Sequence, residues 1–180
     1  MEKPKVLSSK SVFKGYFEIQ QDTIQRADGK EIPYSHCVLS ADAAVVIGET
    51  GDGHFILNRE YRHPTKQYIL GCPGGTLQEG EDPLTGGQRE FYEESGYWAD
   101  SIELIGVSYA LPAICGQKTY YLWAKNAYLK GKQTLDPFEY IQTELMTEAK
   151  LQEELRSGAI LDGILLTALS FRRLKISHAL

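Results

Sequence analysis

Apolar and polar residues alternate through residues 16–40, with Ala27-Asp28-Gly29 near the middle of the segment. Alternation is typical of strands that bury one face, and Asp-Gly is a turn signal, so this segment predicts an antiparallel hairpin near the N-terminus. A similar arrangement follows it, with a buried strand at 43–47, a Gly-Asp-Gly turn at 51–53 and a second strand at 54–59. Hairpins are therefore expected to build the first third of the chain.

The rest of the chain mixes strand-like and helical segments. β-Branched and aromatic residues predict strands at 101–111, 118–129 and 139–146. Apolar residues take a helical spacing through 147–158, and a last helix is predicted at 163–175. Because helices lie between and after the strands, we predict an α/β (α+β) fold, a sandwich with a mixed sheet.

Composition and charge narrow the range of functions. The chain has 180 residues, 42% of them hydrophobic and 24% charged, which suits one globular domain or a compact domain with a small appendage. Its net charge of -5 argues against a nucleic-acid partner, because phosphate backbones require clustered lysine and arginine. No apolar run reaches about 18 residues, so we expect no membrane partner.

The cysteines and the N-terminus bear on the cellular compartment. Cys37, Cys72 and Cys115 are odd in number and widely spaced, so they indicate neither a disulfide framework nor a CxxC metal pair. A reducing compartment is the simplest interpretation. The N-terminal residues also lack the apolar region of a secretory signal peptide. We therefore expect a cytoplasmic protein.

The candidate chemistry is concentrated in residues 75–97, GTLQEGEDPLTGGQREFYEESGY, which hold six acidic residues and one arginine. Asp82 can cap free N–H groups, Pro83 suits the first helical position, and Gly96 suits a helix end. These signals predict a helix at 83–95.

The predicted helix has two different faces. At about 100° per residue, Leu84, Gln88 and Phe91 share a face that is expected to pack on the core. Glu90 and Glu94 stand together on another face, where carboxylates raise one another's pKa values unless a cation lies between them. Such a face is either an ordinary solvated surface or a site for magnesium or manganese, which prefer oxygen ligands.

The complete spacing of the segment separates these two interpretations. Its fixed positions are Gly75, Glu81, Arg89, Glu90, Glu93, Glu94 and Gly96. This spacing resembles the signature of the Nudix hydrolases, and it departs from the signature only at Phe91 and Tyr97, which replace aliphatic residues. The resemblance implies a loop-helix-loop metal site on an α/β/α sandwich, and hydrolysis of a nucleoside diphosphate linked to a further group.

The resemblance also implies a set of metal ligands. Glu90 and Glu94 are expected to be the principal ligands of Mg²⁺, with Mn²⁺ as an alternative. Glu93 is expected to act as a third ligand or to bridge to ordered waters. The backbone carbonyl of Gly74 or Gly75 would add an oxygen from the preceding loop.

Other charged residues are candidates for catalysis. Arg89 can hold a carboxylate in a fixed orientation, and Glu81 can orient Arg89 in turn. A general base must take the proton of the attacking water, and the candidates are Glu139 and Glu144. Glu139 is preferred because it follows Asp136-Pro137 in a predicted loop, whereas Glu144 falls within a predicted strand. Both could instead be solvated acids at a strand end.

A second likeness narrows the substrate class. Residues 57–75, LNREYRHPTKQYILGCPGG, and Pro112 resemble the ADP-ribose pyrophosphatase and nucleoside diphosphate sugar hydrolase branch of the family. This likeness implies a nucleoside diphosphate sugar substrate, with ADP-ribose the leading candidate. It also implies a homodimer formed through N-terminal strands at 1–40, ahead of a Nudix domain at 41–180. Gly71 stands where that branch often has a glutamate, which leaves other nucleotide sugars open.

Three residues are candidates for binding the substrate. Arg62 is the first candidate to bind phosphate through bidentate hydrogen bonds, and Arg59 is a weaker one. Tyr16 could offer an aromatic face to a nucleobase, although aromatic residues on strands are more often core or interface.

The alternatives to nucleoside diphosphate sugar hydrolysis are hydrolysis of nucleoside triphosphates or dinucleoside polyphosphates, and a non-catalytic nucleotide-binding module. The intact acidic residues argue against the last of these.

Overall fold

The computed structural model describes residues 3–177 of the chain. Its N-terminal part is a three-stranded antiparallel sheet of β1 (Lys5–Lys14), β2 (Glu18–Gln25) and β3 (Glu31–Val38), in that order. The predicted hairpin at 16–40 is confirmed as β2 and β3. Strand β1 was not predicted, because its residues are exposed along its whole length and show no buried face.

A second sheet forms the body of the protein. Its strands are β4 (Ala43–Thr50), β5 (His54–Arg62), β6 (Gln67–Gly71), β7 (Gly74–Thr76), β8 (Tyr97–Trp98), β9 (Ser101–Tyr109), β10 (Lys118–Leu129) and β11 (Ile141–Thr147). The strand order is β11-β5-β4-β10-β8, with β6 beside β5, β7 beside β4 and β9 beside β10. Strands β4 and β10 are parallel while their other pairings are antiparallel, so the predicted mixed sheet is confirmed.

Three helices within residues 3–177 cover this sheet: α1 (Pro83–Ser95), α2 (Glu148–Ser157) and α3 (Gly163–Ser177). Alternation along β5 assigns the two faces. Ile56 packs in a cluster with Phe91 of α1, whereas Leu57 packs in a separate cluster with Leu151 of α2 and Leu165 of α3. Side chains of successive strand residues point to opposite faces. The α/β/α sandwich predicted from the sequence is therefore confirmed.

Local signals explain why α1 forms at its predicted position. The Asp82 carboxylate accepts hydrogen bonds from the backbone N–H groups of Leu84 and Thr85, and Gly96 ends the helix with a φ of 75°. Phe91 is fully buried as expected, but Leu84 keeps 37% of its surface exposed. The core face of the helix is therefore narrower than its sequence pattern indicates.

No helix in the described range 3–177 combines the length and the apolar character needed to cross a bilayer.

Candidate active site

Helix α1, strand β7, the end of β5 and the loop between β10 and β11 line a polar cavity of about 480 Å³. This volume lies in the range of small-molecule sites. The cavity is lined by Tyr16, Glu60, Arg62, Gly74, Gly75, Thr76, Arg89, Glu90, Glu93, Glu94, Thr134, Asp136 and Glu139. Most of the candidate residues identified from the sequence therefore lie around one cavity.

Glu94 is the most buried carboxylate of the cavity, with 6% of its surface exposed. Its Oε2 atom accepts a hydrogen bond of 2.9 Å from the Asn58 side-chain amide and one of 2.8 Å from the Gly74 backbone N–H. Two donors from different elements thus fix the position of this oxygen.

The electrostatic environment of Glu94 favours its protonated form in the absence of a cation. Burial, helped by the nearby carboxylates of Glu60, Glu139 and Glu90, raises its pKa to about 8 against the opposing hydrogen bond from Gly74. A strongly shifted pKa with identifiable causes is typical of functional sites. A bound divalent cation would reverse this preference by stabilising the carboxylate.

Arg89 connects the other acids of the segment. Its guanidinium donates two hydrogen bonds to Glu81, of 3.0 and 2.9 Å, and its Nη1 donates to Glu90 at 2.8 Å and Glu93 at 3.0 Å. The hydrogen bonds from Arg89 lower the pKa of Glu81. Burial raises the pKa of Glu90 despite its contact with Arg89. Glu81 itself does not line the cavity but holds the arginine that does.

Two glycines of β7 let this strand lie close to β4 and to helix α1. Gly74 has a φ of 148°, and a Cβ atom there would lie 2.6 Å from the Val45 Cα. A Cβ on Gly75 would lie 2.7 Å from the Glu90 carboxylate oxygen. Both distances are far below normal contact, so a side chain at Gly74 would displace the backbone of β7, and one at Gly75 would displace the Glu90 carboxylate.

The two candidate bases lie in different surroundings. Glu139 lines the cavity, and its Oε2 accepts a hydrogen bond of 2.8 Å from the Asp136 backbone N–H. Glu144 lies in β11 and forms a bidentate ion pair with Arg59 of β5, at 2.6 and 3.0 Å. Neither Arg59 nor Glu144 lines the cavity, and Pro112 does not line it either.

The structure adds residues that the sequence analysis missed. Glu60 lines the cavity and pairs with Arg62, and burial raises its pKa. Asn58 lies on β5 like Glu60, and its side-chain amide donates a hydrogen bond to Glu94 of α1. Alternation along β5 could have found both, since Asn58, Glu60 and Arg62 share the face of Ile56, the face that packs on α1. Thr134 and Asp136 come from a distant loop, and no local pattern marks them.

The carboxylates of the cavity are suitable ligands for a hard divalent cation, although two of them, Glu90 and Glu93, already accept hydrogen bonds from Arg89. Within residues 3–177, no three acidic, histidine or cysteine side chains are already arranged as a metal-binding group. Mg²⁺ is usually held by one or two carboxylates together with water and substrate phosphates, rather than by a complete protein cage. Glu94 and Glu90 provide such carboxylates on one helix face, next to open cavity volume.

Comparisons with known proteins agree with this architecture. The sequence profile of the NUDIX domain matches residues 39–163, more than half of the chain. The chain is 24% identical over 173 residues to an ADP-ribose pyrophosphatase of Bacillus subtilis (strain 168), covering 95% of this chain and 93% of that protein. It is also 24% identical over 174 residues to a methanol dehydrogenase activator of Bacillus methanolicus, with the same coverage of 95% and 93%.

A solved structure shares the whole fold. The crystal structure of an ADP compounds hydrolase superimposes with a TM-score of 0.88 at 22% sequence identity, covering 99% of this chain and 97% of that one. The likeness therefore includes the N-terminal sheet as well as the sandwich. Together with the profile match and the α1 cavity, it shows that the chain belongs to the NUDIX domain family and is a Nudix pyrophosphohydrolase.

Proposed function

We propose that the protein hydrolyses the pyrophosphate bond of nucleoside diphosphate sugars, with ADP-ribose the leading candidate, to a nucleoside monophosphate and a sugar phosphate. One observation carries this proposal: a single cavity joins the α1 carboxylates to the cationic side chain of Arg62. A pyrophosphate needs both a cation site and a guanidinium partner. Similarity to an ADP-ribose pyrophosphatase over 95% of the chain supports the substrate class.

Arg62 and Tyr16 are proposed to bind the substrate. The planar guanidinium of Arg62 can donate two parallel hydrogen bonds to one phosphate, and its pairing with Glu60 restricts the orientation of that fork. Tyr16 lies between β1 and β2 with 96% of its surface exposed, yet it lines the cavity. Its aromatic ring can stack on a nucleobase or pack against a sugar ring of the substrate.

Nudix hydrolases generally require a divalent cation, and we propose Mg²⁺ here, held by Glu90 and Glu94 with Glu93 and the Gly74 carbonyl in support. When bound, the cation screens the pyrophosphate charge and lowers the pKa of water. Arg89 holds Glu90 and Glu93 in place before the cation binds, which limits their repulsion.

Glu139 is proposed to accept the proton of the attacking water. It lines the cavity from the loop between β10 and β11, and among the described residues its carboxylate accepts one hydrogen bond, from the backbone N–H of Asp136 in its own turn. Its carboxylate therefore remains available to the substrate side of the cavity. Proton acceptance by a positioned carboxylate contributes about 10²–10⁴-fold to a rate.

The protein is also proposed to be a homodimer. The N-terminal sheet and its β1–β2 turn expose a set of large apolar side chains: Val6, Leu7, Val12, Phe13, Phe17, Ile32 and Tyr34. Exposed apolar clusters of this kind mark interaction surfaces. Light scattering on the purified protein should give twice the mass of one chain, and Val12→Glu should shift it toward the monomer, whereas Lys10→Glu should not.

A substrate panel tests the proposed reaction. ADP-ribose, ADP-glucose, GDP-mannose, UDP-glucose, nucleoside triphosphates and diadenosine polyphosphates are incubated with magnesium in ¹⁸O-labelled water, and the products are identified by mass. Cleavage of the diphosphate sugars to two monophosphates is expected, and Glu94→Gln should abolish it while retaining the fold. Release of pyrophosphate from a triphosphate without cleavage of any sugar nucleotide would contradict the proposal. Binding without turnover by the unaltered protein would favour a non-catalytic module.

A further inference from the structure

Cys37 and Cys115 meet where the two sheets of the protein touch. Cys37 lies in β3, Cys115 lies in the loop between β9 and β10, and the two residues form an isolated parallel β-bridge. The backbone N–H of Cys37 donates a hydrogen bond of 2.7 Å to the carbonyl of Ile114. The cysteines are thus direct partners in register, although 77 residues separate them in the sequence.

This pairing brings the backbones of the two cysteines to the spacing that a disulfide needs. Backbones paired in a β-bridge lie roughly 4.8 Å apart, and residues paired in register project their side chains to the same side. A disulfide needs a Cα separation of about 4.4–6.8 Å with Cβ atoms that face each other. Both thiols are free, and neither residue is fully buried.

The site is also open to a small reagent. A cavity of about 470 Å³ borders it, lined by residues 36–42 together with Gly116 and Gln117. Cys37 is one of the lining residues, and it is only partly buried. Burial raises the pKa of the third thiol, Cys72, far above the ordinary range, which suppresses its reactive thiolate.

We propose that Cys37 and Cys115 are a modification site that forms a reversible disulfide within one chain when it meets a low-molecular-weight disulfide such as oxidised glutathione. The thiolate of one cysteine attacks a sulfur of the reagent, forms a mixed disulfide and releases one glutathione thiol. The second cysteine then attacks the protein sulfur of that mixed disulfide and releases the other glutathione thiol. Two protein thiols lose two electrons and two protons, and one reagent disulfide is reduced to two thiols.

The bond would fasten the N-terminal sheet to the catalytic sheet. Two existing contacts already bring these parts together: the Tyr34 hydroxyl donates to the carbonyl of Ala113 at 2.5 Å, and the Gln117 side chain donates to the carbonyl of Ala41 at 2.8 Å. The disulfide would convert this polar contact into a covalent ring through residues 37–115. Long rings restrict the unfolded chain strongly, so oxidation should stabilise the protein.

The experiment uses the full-length protein, incubated with oxidised glutathione under native conditions. Intact mass should fall by two hydrogen atoms, and non-reducing peptide mapping should find the peptides of Cys37 and Cys115 joined within a monomeric chain. The melting temperature should rise by several degrees on oxidation and return to its starting value after reduction with dithiothreitol.

Cysteine variants provide the matched comparison. Cys72→Ser should form the bond as the unaltered protein does, whereas Cys115→Ser should stop at a stable glutathione adduct on Cys37 and show no reversible rise in melting temperature. Mapping of the unaltered protein needs no variant, so the result does not depend on whether a variant folds. A persistent glutathione adduct on the unaltered protein, a bond between two chains, or two thiols that stay reduced would each overturn the proposal.

Discussion

The side-chain amide of Asn58 donates a hydrogen bond of 2.9 Å to Glu94 Oε2, and both residues are buried. Thr143 of β11 donates to the other end of the same amide, Asn58 Oδ1, at 3.1 Å. These two bonds join β11, β5 and α1 in one chain of contacts and set which end of the amide faces the carboxylate. The orientation of Glu94 therefore depends on a strand residue far from the acidic segment.

Replacement of Asn58 should weaken cation binding. Asn58→Leu keeps the volume but removes a donor to Glu94, so the carboxylate loses its orientation and its pKa rises further. Loss of such an outer contact typically costs about 10–100-fold in metal affinity. A magnesium titration of turnover measures the effect, with Thr143→Val as a milder comparison that leaves the donor to Glu94 present. Equal magnesium dependence in Asn58→Leu and the unaltered protein would contradict the role assigned to Asn58.

The metal-free protein should lose stability as the pH rises toward 8. Burial, followed by the nearby carboxylates, raises the pKa of Glu94 from 4.5 to about 8 in the folded state. The folded protein then binds more protons than the unfolded chain between these two values, so the free energy of unfolding falls as the pH rises through this window. Below about 4.5 both states are protonated, and the effect ends.

Urea unfolding in the presence of a chelator measures this dependence. Glu94→Gln should flatten the fall in unfolding free energy between about pH 5 and pH 8, because the amide does not titrate. Glu79→Gln is the matched control, since Glu79 is an exposed acid of the same segment. Added magnesium should restore stability at the upper pH in the unaltered protein. A pH dependence in Glu94→Gln as steep as that of the unaltered protein would refute the assignment.

The sequence predicted the elements whose causes are local. Helix α1 has its cap at Asp82, its proline at Pro83 and its end at Gly96, and all three act within a few residues. The site acids on α1 share one face for the same reason. Asn58 and Glu60 were missed because their role depends on which face of β5 packs on α1, a tertiary fact. Short strands such as β7 and β8 were missed because two or three residues are too few to show an alternation of apolar and polar positions.

Glu139 and Glu144 should respond differently to the same substitution. Glu139→Gln removes the proposed proton acceptor and should lower kcat by about 10²–10⁴-fold, with cation binding retained. Glu144→Gln should leave kcat nearly unchanged, because Glu144 is held by Arg59 outside the cavity. Steady-state kinetics and a magnesium binding isotherm for both variants separate catalysis from metal binding. Unaltered turnover in Glu139→Gln would place the base elsewhere.

Arg62 and Arg59, the two arginines of β5, should also respond differently to the same substitution. Arg62 lines the cavity, and Arg62→Lys should raise KM for a diphosphate sugar about tenfold or more, because an ammonium group cannot make the bidentate contact. Arg59→Lys should change KM little and slightly lower the melting temperature, since Arg59 serves the ion pair with Glu144. Kinetics on both variants with one substrate provide the test, and the reverse ranking would exclude Arg62 as the phosphate partner.

Gly74 should tolerate no side chain, because three constraints meet there. Its φ of 148° is unfavourable for other residues, and a Cβ would lie 2.6 Å from the Val45 Cα and 3.0 Å from the Val45 side chain. Its N–H also holds Glu94. Gly74→Ala should therefore lower both the melting temperature and the magnesium affinity, since β7 must move away from β4.

Gly80→Ala is the matched control, because Gly80 also has a positive φ, of 74°, but meets nothing within 4 Å. That control should cost only about 1 kcal/mol of backbone strain. Equal losses of stability in the two variants, with unchanged magnesium affinity, would show that conformation alone requires glycine at position 74.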